Sequence, residues 1–495
     1  MTPNRRILAV DIGTSSTRAV LFDTNANALA HARRTYAMAL PRPGWSEQDA
    51  DLVADAVIEV LHEASEMLTE DDVLAGVVLS AQMYSVLAVA ADGTPLSPSL
   101  TWADMRSAEQ AAALAHSASA DLSQRTGCPL QAIYPLAKIA WLKANMALPD
   151  GVRFISIKDY VIFRLTGQLV TDWSTASATG LLDVATHAWD AEALTLAQIS
   201  VDSLPALVSP RHIIRSWQAE ISQAVGLPVD TPLIVGGGDA PFANIGVGAI
   251  GSGAIAVNLG TSAAARMLTP APQIDSASRL WTYVADVDHW VTGGIIGSGG
   301  AVYEWLLKDF LCPQGLSTGD DLFREADRLA SSVEPGADDL VFIPYFSGEQ
   351  SPGWSPGAKG LVYGLTLRHQ PRHTIRAAIE GIVFALLRVA RAIEDVRGAA
   401  VEKVYVTGGL NRSPVWLSTI ANVFGAAVVV PRSPESSARG TAIVGWLALG
   451  EADDYHNFDQ PEDLLQPDMT IHSLYQERYD VFCALNHHMQ TLLNR

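Results

Sequence analysis

The chain has 495 residues, 48% hydrophobic and 17% charged, a globular composition long enough for two or three domains. With 33 basic against 53 acidic residues the net charge is −20, which opposes nonspecific binding to nucleic acid or anionic lipid. It leaves room for a nucleotide, whose phosphates can be held by backbone N–H groups and a metal ion.

The opening Met1-Thr2-Pro3-Asn4-Arg5-Arg6 leads into only Ile7 to Val10 before Asp11, too short for a signal peptide, and Thr441 to Gly450 falls far below the roughly 20 apolar residues of a membrane span. A cytoplasmic location with no membrane partner is the expectation. Cys128, Cys312 and Cys483 match no metal or redox spacing and read as buried free thiols.

In chain order, Ile7 to Asp11 predicts a strand, Gly13-Thr14-Ser15 a turn and Thr17 to Phe22 the returning strand of a hairpin. Leu52, Ala56, Val57, Val60, Leu61 and Ala64 form a helical stripe, followed by a strand at Gly76 to Leu79. Leu233 to Val235 predicts a strand that ends in Gly236-Gly237-Gly238 and Asp239. At Ile255 to Ser262 the opening pattern returns: Ala256 to Ser262 matches Ala9 to Ser15 at five of seven positions. The expected domains are therefore 1–251 and 252–495, divided near Gly251-Ser252-Gly253.

Ile375, Ile379, Ile382, Val383, Leu386 and Ala390 predict a second core helix before a strand at Lys403 to Val406. Ser413-Pro414 starts another helix and Gly425 stops it. Asp459 to Asp468 reads as an acidic loop before a last helix.

No G-x-x-x-x-G-K-[ST] sequence is present, so the phosphate grip must lie outside a P-loop. Hairpin turns of Gly, Thr and Ser offer unhindered amides and hydroxyls, at Gly13 to Ser16 and at Gly260 to Ser262, although either alone is also an ordinary turn. Gly408-Gly409 adds a third such loop. Asp11, closing its strand beside the first turn, is placed to hold Mg²⁺, with a turn-capping role as the alternative. Asp239 is delivered to a turn where three glycines allow close approach, with an N-cap as the alternative.

The chain resembles the FGGY carbohydrate kinases. The resemblance rests on Asp11 to Arg18, on Val257 to Ser262, on Val406 to Pro414, and on Gly360 to Leu365 followed by Ala377 to Gly381, with Thr374 where an apolar residue is usual. Tyr134 to Trp141 is looser. The resemblance implies an α/β protein of two ribonuclease-H-like, actin-like domains with an interdomain cleft, the first domain for sugar and the first phosphate hairpin, the second for the second hairpin and adenosine. It implies ATP and Mg²⁺, with Asp239 as general base, and Asp11, Thr14, Gly13, Ser15 and Arg18 on metal and phosphate. Gly260 and Thr261 would face the γ-phosphoryl, and Gly408, Gly409 and Asn411 the adenosine side.

Within that family, Gly44 to Asp49, Thr101 to Ser107, Ile157 to Tyr160 and Asp172 to Leu182 look most like gluconate kinases, while xylulose kinases share much of this pattern. Gln82, Met83, Tyr84, Trp102, Asp104, Arg106 and Lys158 are the expected substrate residues. Tyr84 stands where both groups usually carry histidine. A sugar acid needs a cation or a cluster of N–H donors, and Arg106, then Lys158, are the first choices; each also reads as a salt-bridging side chain. Trp102 and Trp141 read as packing residues first. The histidines include no H-x-x-x-H spacing that sits with acidic partners and are given no role. An actin-like nucleotide switch is the rival class, separable by whether ATP consumption requires a polyol. The sequence leaves the oligomeric state open, a homodimer included.

Overall fold

The computed structural model describes residues 4–251, 253–311, 320–432 and 435–493. Ser252 of the expected boundary and Cys312 lie outside these. The chain forms two compact units. The first joins the chain up to Gly248 to Leu268–Val291 and Glu435–Gln460, and the second takes the remainder, so the packing units exchange two segments relative to a single cut. Among the described residues no helix is long and apolar enough to cross a membrane. Cys128 is buried and Cys483 half-buried, both free.

The sheet of the first unit runs Ile213–Ile214, Leu233–Gly238, Asp72–Ala81, Asn4–Ile12, Ser16–Phe22, Ala28–Thr35. Alternation along Asn4–Ile12 fixes its faces. Leu8, Val10 and Ile12 pack into one core with Val53, Val57, Val60 and Leu61 of the helix Ala50–Ser65. Ile7 points the other way, toward Gly445 of the helix Ser436–Ala448. The predicted stripe on the first helix differs only at its start: Leu52 is exposed and Val53 buried, while Ala56, Val57, Val60, Leu61 and Ala64 are buried as predicted.

In the second unit the hairpin recurs. Ala254–Leu259 pairs antiparallel with Ala263–Thr269 and parallel with Lys403–Thr407, as Asn4–Ile12 pairs antiparallel with Ser16–Phe22 and parallel with Asp72–Ala81. The two Gly-Thr-Ser turns thus occupy equivalent sheet positions. The helix Pro371–Arg397 buries all six residues of its predicted stripe. Ser413 caps Pro414–Phe424 through the Trp416 amide, and Gly425 closes it at φ +65°. The acidic stretch after Asp459 holds a short strand, Leu464–Leu465, that pairs with Val428–Val429.

Within the first unit, the helices Asp239–Val247 and Ser436–Ala448 cross in backbone contact. A Cβ on Gly440 would sit 1.8 Å from the Phe242 carbonyl oxygen, and one on Gly246 would sit 1.8 Å from that of Ser436. Neither backbone can give way alone. Gly440→Ala is expected to cost about 3 kcal/mol through overpacking, read as an unfolding midpoint lowered by several degrees; an unchanged midpoint would refute the tight crossing.

Candidate functional site

The first hairpin turn is held by its own backbone and by neighbours. The Gly13 amide donates to the Ser16 carbonyl at 3.0 Å, the Tyr36 hydroxyl donates to the Gly13 carbonyl at 2.7 Å, and the Tyr36 amide donates to the Ser15 carbonyl. Thr14 donates its hydroxyl proton to Gln82 Oε1 at 3.0 Å and accepts from the Trp102 indole at 2.9 Å. That single proton is spent, so the Thr14 hydroxyl has no donor left for a further acceptor.

Asp11 is 8% exposed, and each carboxylate oxygen is engaged. Arg18 Nη2 donates to Oδ2 at 3.1 Å, while Ser80 and Ser437 donate to Oδ1 at 3.1 and 3.3 Å. Arg18 also pairs with Glu435 at 2.5 Å. Opposing strand positions bring Asp11 and Arg18 together, since they are register partners.

Asp239 is the first residue of its helix, with Gly238 as the N-cap, and its Oδ1 accepts from the Ala240 amide at 2.7 Å. The three preceding glycines have steric causes. Gly236 lies at φ +69°, where a Cβ would be 1.7 Å from the Leu79 carbonyl oxygen, and a Cβ on Gly238 would meet Met83 at 2.9 Å. Met83 therefore packs beneath the base candidate.

Tyr84 has φ +68° and meets Tyr134 and Tyr283 edge-on at 5.7 and 6.0 Å. The Tyr134 and Tyr283 hydroxyls are 2.9 Å apart, and Trp281 stacks on Tyr283 at 4.4 Å. The Trp281 indole N–H is buried without a partner among the described residues. This aromatic wall, completed by Trp281 and Tyr283, was missed in the sequence because its members are about 200 residues from Tyr84 in the chain.

Two expected cations are committed elsewhere. Arg106, whose side chain is 3% exposed, lies on the Trp45 ring at 3.6 Å and pairs with Asp104 and Glu47, each at 2.7 Å. Asp104 also accepts from the Ser46 amide at 2.7 Å and is fully buried. Lys158 is fully buried, paired with Asp172 and donating to the Val235 carbonyl. A substrate carboxylate would have to displace an internal one, so neither residue has the free charge expected of it. Trp102 binds Thr14, and Trp141 lies 5.4 Å edge-on from Trp45. His369-Gln370-Pro371-Arg372-His373 does supply an H-x-x-x-H with an acid nearby, correcting the sequence reading. His369 Nε2 is 3.8 Å from an Asp338 carboxylate oxygen, but it bonds the Asp338 carbonyl, and among the described residues no three acidic, His or Cys groups converge on a metal position.

The second unit contains a cavity of ≈ 480 Å³ lined by Gly260, Thr261, Gly300, Phe323, Asp327 and Gly409 among others. Gly408 lies behind it at φ +95°, against Leu259, and Asn411 turns its amide to the Gly408 carbonyl. Leu410, Arg412 and Ser413 line the cavity, while Gly408 and Asn411 do not. Burial raises the Asp327 carboxyl, opposed by its bond to Ser413. The missed contributors were legible in part: Gly297-Ser298-Gly299-Gly300 follows a strand and opens a helix, and the Gly300 amide donates to the Gly260 carbonyl at 2.7 Å.

Lys138 underlies the first-unit loops. Fully buried, it donates to the Tyr84 carbonyl at 2.9 Å and the Thr101 carbonyl at 2.7 Å, and burial draws its amine down to about 7, with Asp104 opposing. An unfolded lysine keeps the ordinary value of 10.5, so between pH 7 and 10.5 the unfolded chain binds more protons and the folded state gains stability as pH rises. The melting temperature of wild type minus that of Lys138→Met is expected to climb from pH 7 to pH 9; a flat difference would show that the amine does not titrate in this window.

Residues 6–246 match the N-terminal domain model of the FGGY family of carbohydrate kinases and residues 255–449 its C-terminal domain model. A gluconokinase of Bacillus subtilis (strain 168) is 35% identical over 93% of this chain and 90% of its own. A crystal structure of gluconate kinase from Lactobacillus acidophilus superposes with TM-score 0.91 at 30% identity, covering 98% of each chain. A ligand-bound xylulose kinase from the same organism gives the same TM-score, identity and coverage.

Proposed function

Because the chain belongs to the FGGY family of carbohydrate kinases, a phosphotransferase family whose acceptor is a sugar hydroxyl and whose donor is ATP, we propose that it converts D-gluconate to 6-phosphogluconate. The observation that supports this most is the full-length similarity to gluconokinases, with the sugar-loop segments Thr101 to Ser107 and Ile157 to Tyr160 in place. D-xylulose is the second reading, favoured by the xylulose kinase neighbours.

Asp239 is the proposed general base, taking the proton of the acceptor hydroxyl as its oxygen attacks the γ-phosphorus. The helix start and the packed glycine turn hold the carboxylate at a fixed point, which is what positioning catalysis of phosphoryl transfer requires. Gly260 and Thr261 belong to the cavity proposed for the nucleotide, and Gly13, Thr14 and Ser15 offer backbone to phosphate oxygens. Mg²⁺ fits Asp11 in one manner. Its oxygens already accept three side-chain bonds, so it suits a hydrated ion that arrives with the phosphates and keeps most of its waters. Such an ion would neutralise charge on the transferring phosphoryl group. The chain is proposed to form a homodimer, checked by light scattering.

The carboxylate of gluconate would be met by neutral donors, since Arg106 and Lys158 are internally paired. The Trp281 indole N–H is one of several buried donors without a partner among the described residues.

Asp239→Asn is expected to lower kcat by about 10² or more with MgATP binding preserved, measured by coupled ADP release and nucleotide titration; near-wild-type turnover removes the residue from the mechanism. For the substrate, kcat/KM for gluconate is expected to exceed that for D-xylulose, and the reverse order overturns the gluconate assignment. Arg106→Met should weaken gluconate and a neutral polyol alike. A rise in KM confined to gluconate would restore Arg106 as the carboxylate partner.

A further inference from the structure

Gln48 is 1% exposed, lies on the two-residue strand Glu47–Gln48 that pairs with Ser99–Leu100, and has no part in the roles above. Its amide nevertheless closes a ring. Gln48 Nε2 donates to the Thr14 carbonyl at 2.7 Å and lies 3.4 Å from that of Gly13, while its Oε1 accepts from Gln82 Nε2 at 2.5 Å. Gln82 Oε1 accepts from the Thr14 hydroxyl, and that hydroxyl accepts from the Trp102 indole. Both amide nitrogens face acceptors and both amide oxygens face donors, so each amide has a single orientation consistent with its neighbours. The ring ties the turn at Gly13 to Ser16 to Gln82 and Trp102.

We infer that Gln48 is a positioning residue for phosphoryl transfer, holding the turn at Thr14 in register with the sugar-facing Gln82 and Trp102. Buried networks in which each group is satisfied rigidify what they join. Displacing a reacting group by about 1 Å costs up to about 10²-fold in rate. The inference rests on reading that turn as the phosphate hairpin, and it gives a role to Gln48, which lies in the gluconate-kinase-like segment Gly44 to Asp49 but is not among the expected substrate residues.

The test is steady-state kinetics with MgATP and D-gluconate, or D-xylulose if that is the better substrate, on Gln48→Met, Gln82→Met and the double variant, with Gly13→Ala as the control for the hairpin itself. Gln48→Met is expected to lower kcat about 10-fold or more while the Kd of a non-hydrolysable ATP analogue stays within about threefold. The double variant should be little worse than the worse single one, because both residues act through the same ring. Gln48→Glu, close to isosteric, keeps the acceptor for Gln82 but, once ionised, has no proton for the Thr14 carbonyl. It is expected to share the loss, and it carries the test if the methionine variant does not fold. A kcat within about twofold of wild type in folded Gln48→Met or Gln48→Glu overturns the inference, as do single effects that multiply in the double variant. If Gly13→Ala lowers kcat while Gln48 variants do not, the inference fails and the hairpin reading stands; if neither matters, both fail.

Discussion

The first unit depends on a crossing of two helices with no side chains between them. Gly246 and Gly440 let Asp239–Val247 and Ser436–Ala448 meet at backbone distance, and Arg439, buried on the same helix, donates to the Gly246 and Phe458 carbonyls at 2.6 and 2.5 Å. Two further relationships follow. The helix that starts at Asp239 is braced along its length, so its first residue inherits a fixed position. The N-terminal end of the second helix reaches Asp11, where Ser437 donates to the carboxylate and Glu435 takes the far side of Arg18. A segment more than 400 residues along the chain thus finishes the environment of a carboxylate on the first strand.

Several charges inside this acidic protein are organised by pairing, while Lys138 and Arg439 are held by backbone carbonyls. Lys158 with Asp172, Arg106 with Asp104 and Glu47, and Arg211 with Asp286 are each held by hydrogen bonds as well as by opposite charge. Breaking such a pair strands a buried ion at a cost of several kcal/mol. Arg106 and Lys158, the cations expected to meet a sugar acid, are both held in such internal pairs. A net charge of −20 is compatible with a polyanionic ligand when backbone amides rather than side-chain cations do the holding, as the proposed function has it.

What was legible in the sequence was local. The hairpins, the strand that ends in three glycines before Asp239, and the Ser413 cap are set by neighbours a few residues apart, and the structure has them as read. Arg106 misled although its partner Asp104 is only two positions away, because a guanidinium committed to a buried carboxylate looks the same in a sequence as one awaiting a ligand; its second partner, Glu47, is 59 positions away. Leu52 misled because the adjacent and equally apolar Val53 takes the buried face in the first turn. The cavity contributions of Phe323 and Asp327 carry no motif, coming from a strongly charged helix whose periodicity reports only packing. Trp281 and Tyr283 sit in one of the two segments exchanged between the packing units, so neither half of the repeat pointed to them.

The tyrosine that departs from the family pattern is best understood through these neighbours. At φ +68° a residue with a Cβ is strained by about 1 to 3 kcal/mol, so Tyr84 is held there by what surrounds it. Lys138 fixes its carbonyl, and the faces and edges of Tyr134 and Tyr283 fix its ring. A histidine at this position would bring a ring that titrates near neutrality, whereas burial pushes the phenols of Tyr134 and Tyr283 well above the ordinary tyrosine value. The wall therefore stays neutral across the physiological range. On the proposed reading, its discrimination among sugars then comes from shape and from N–H and O–H donors rather than from charge. A buried donor left unpaired costs about 1 to 3 kcal/mol, a cost that the Trp281 indole carries among the described residues. A site built this way gains most from a ligand rich in acceptor oxygens, and an open-chain sugar acid has more of them than a neutral ketose of five carbons.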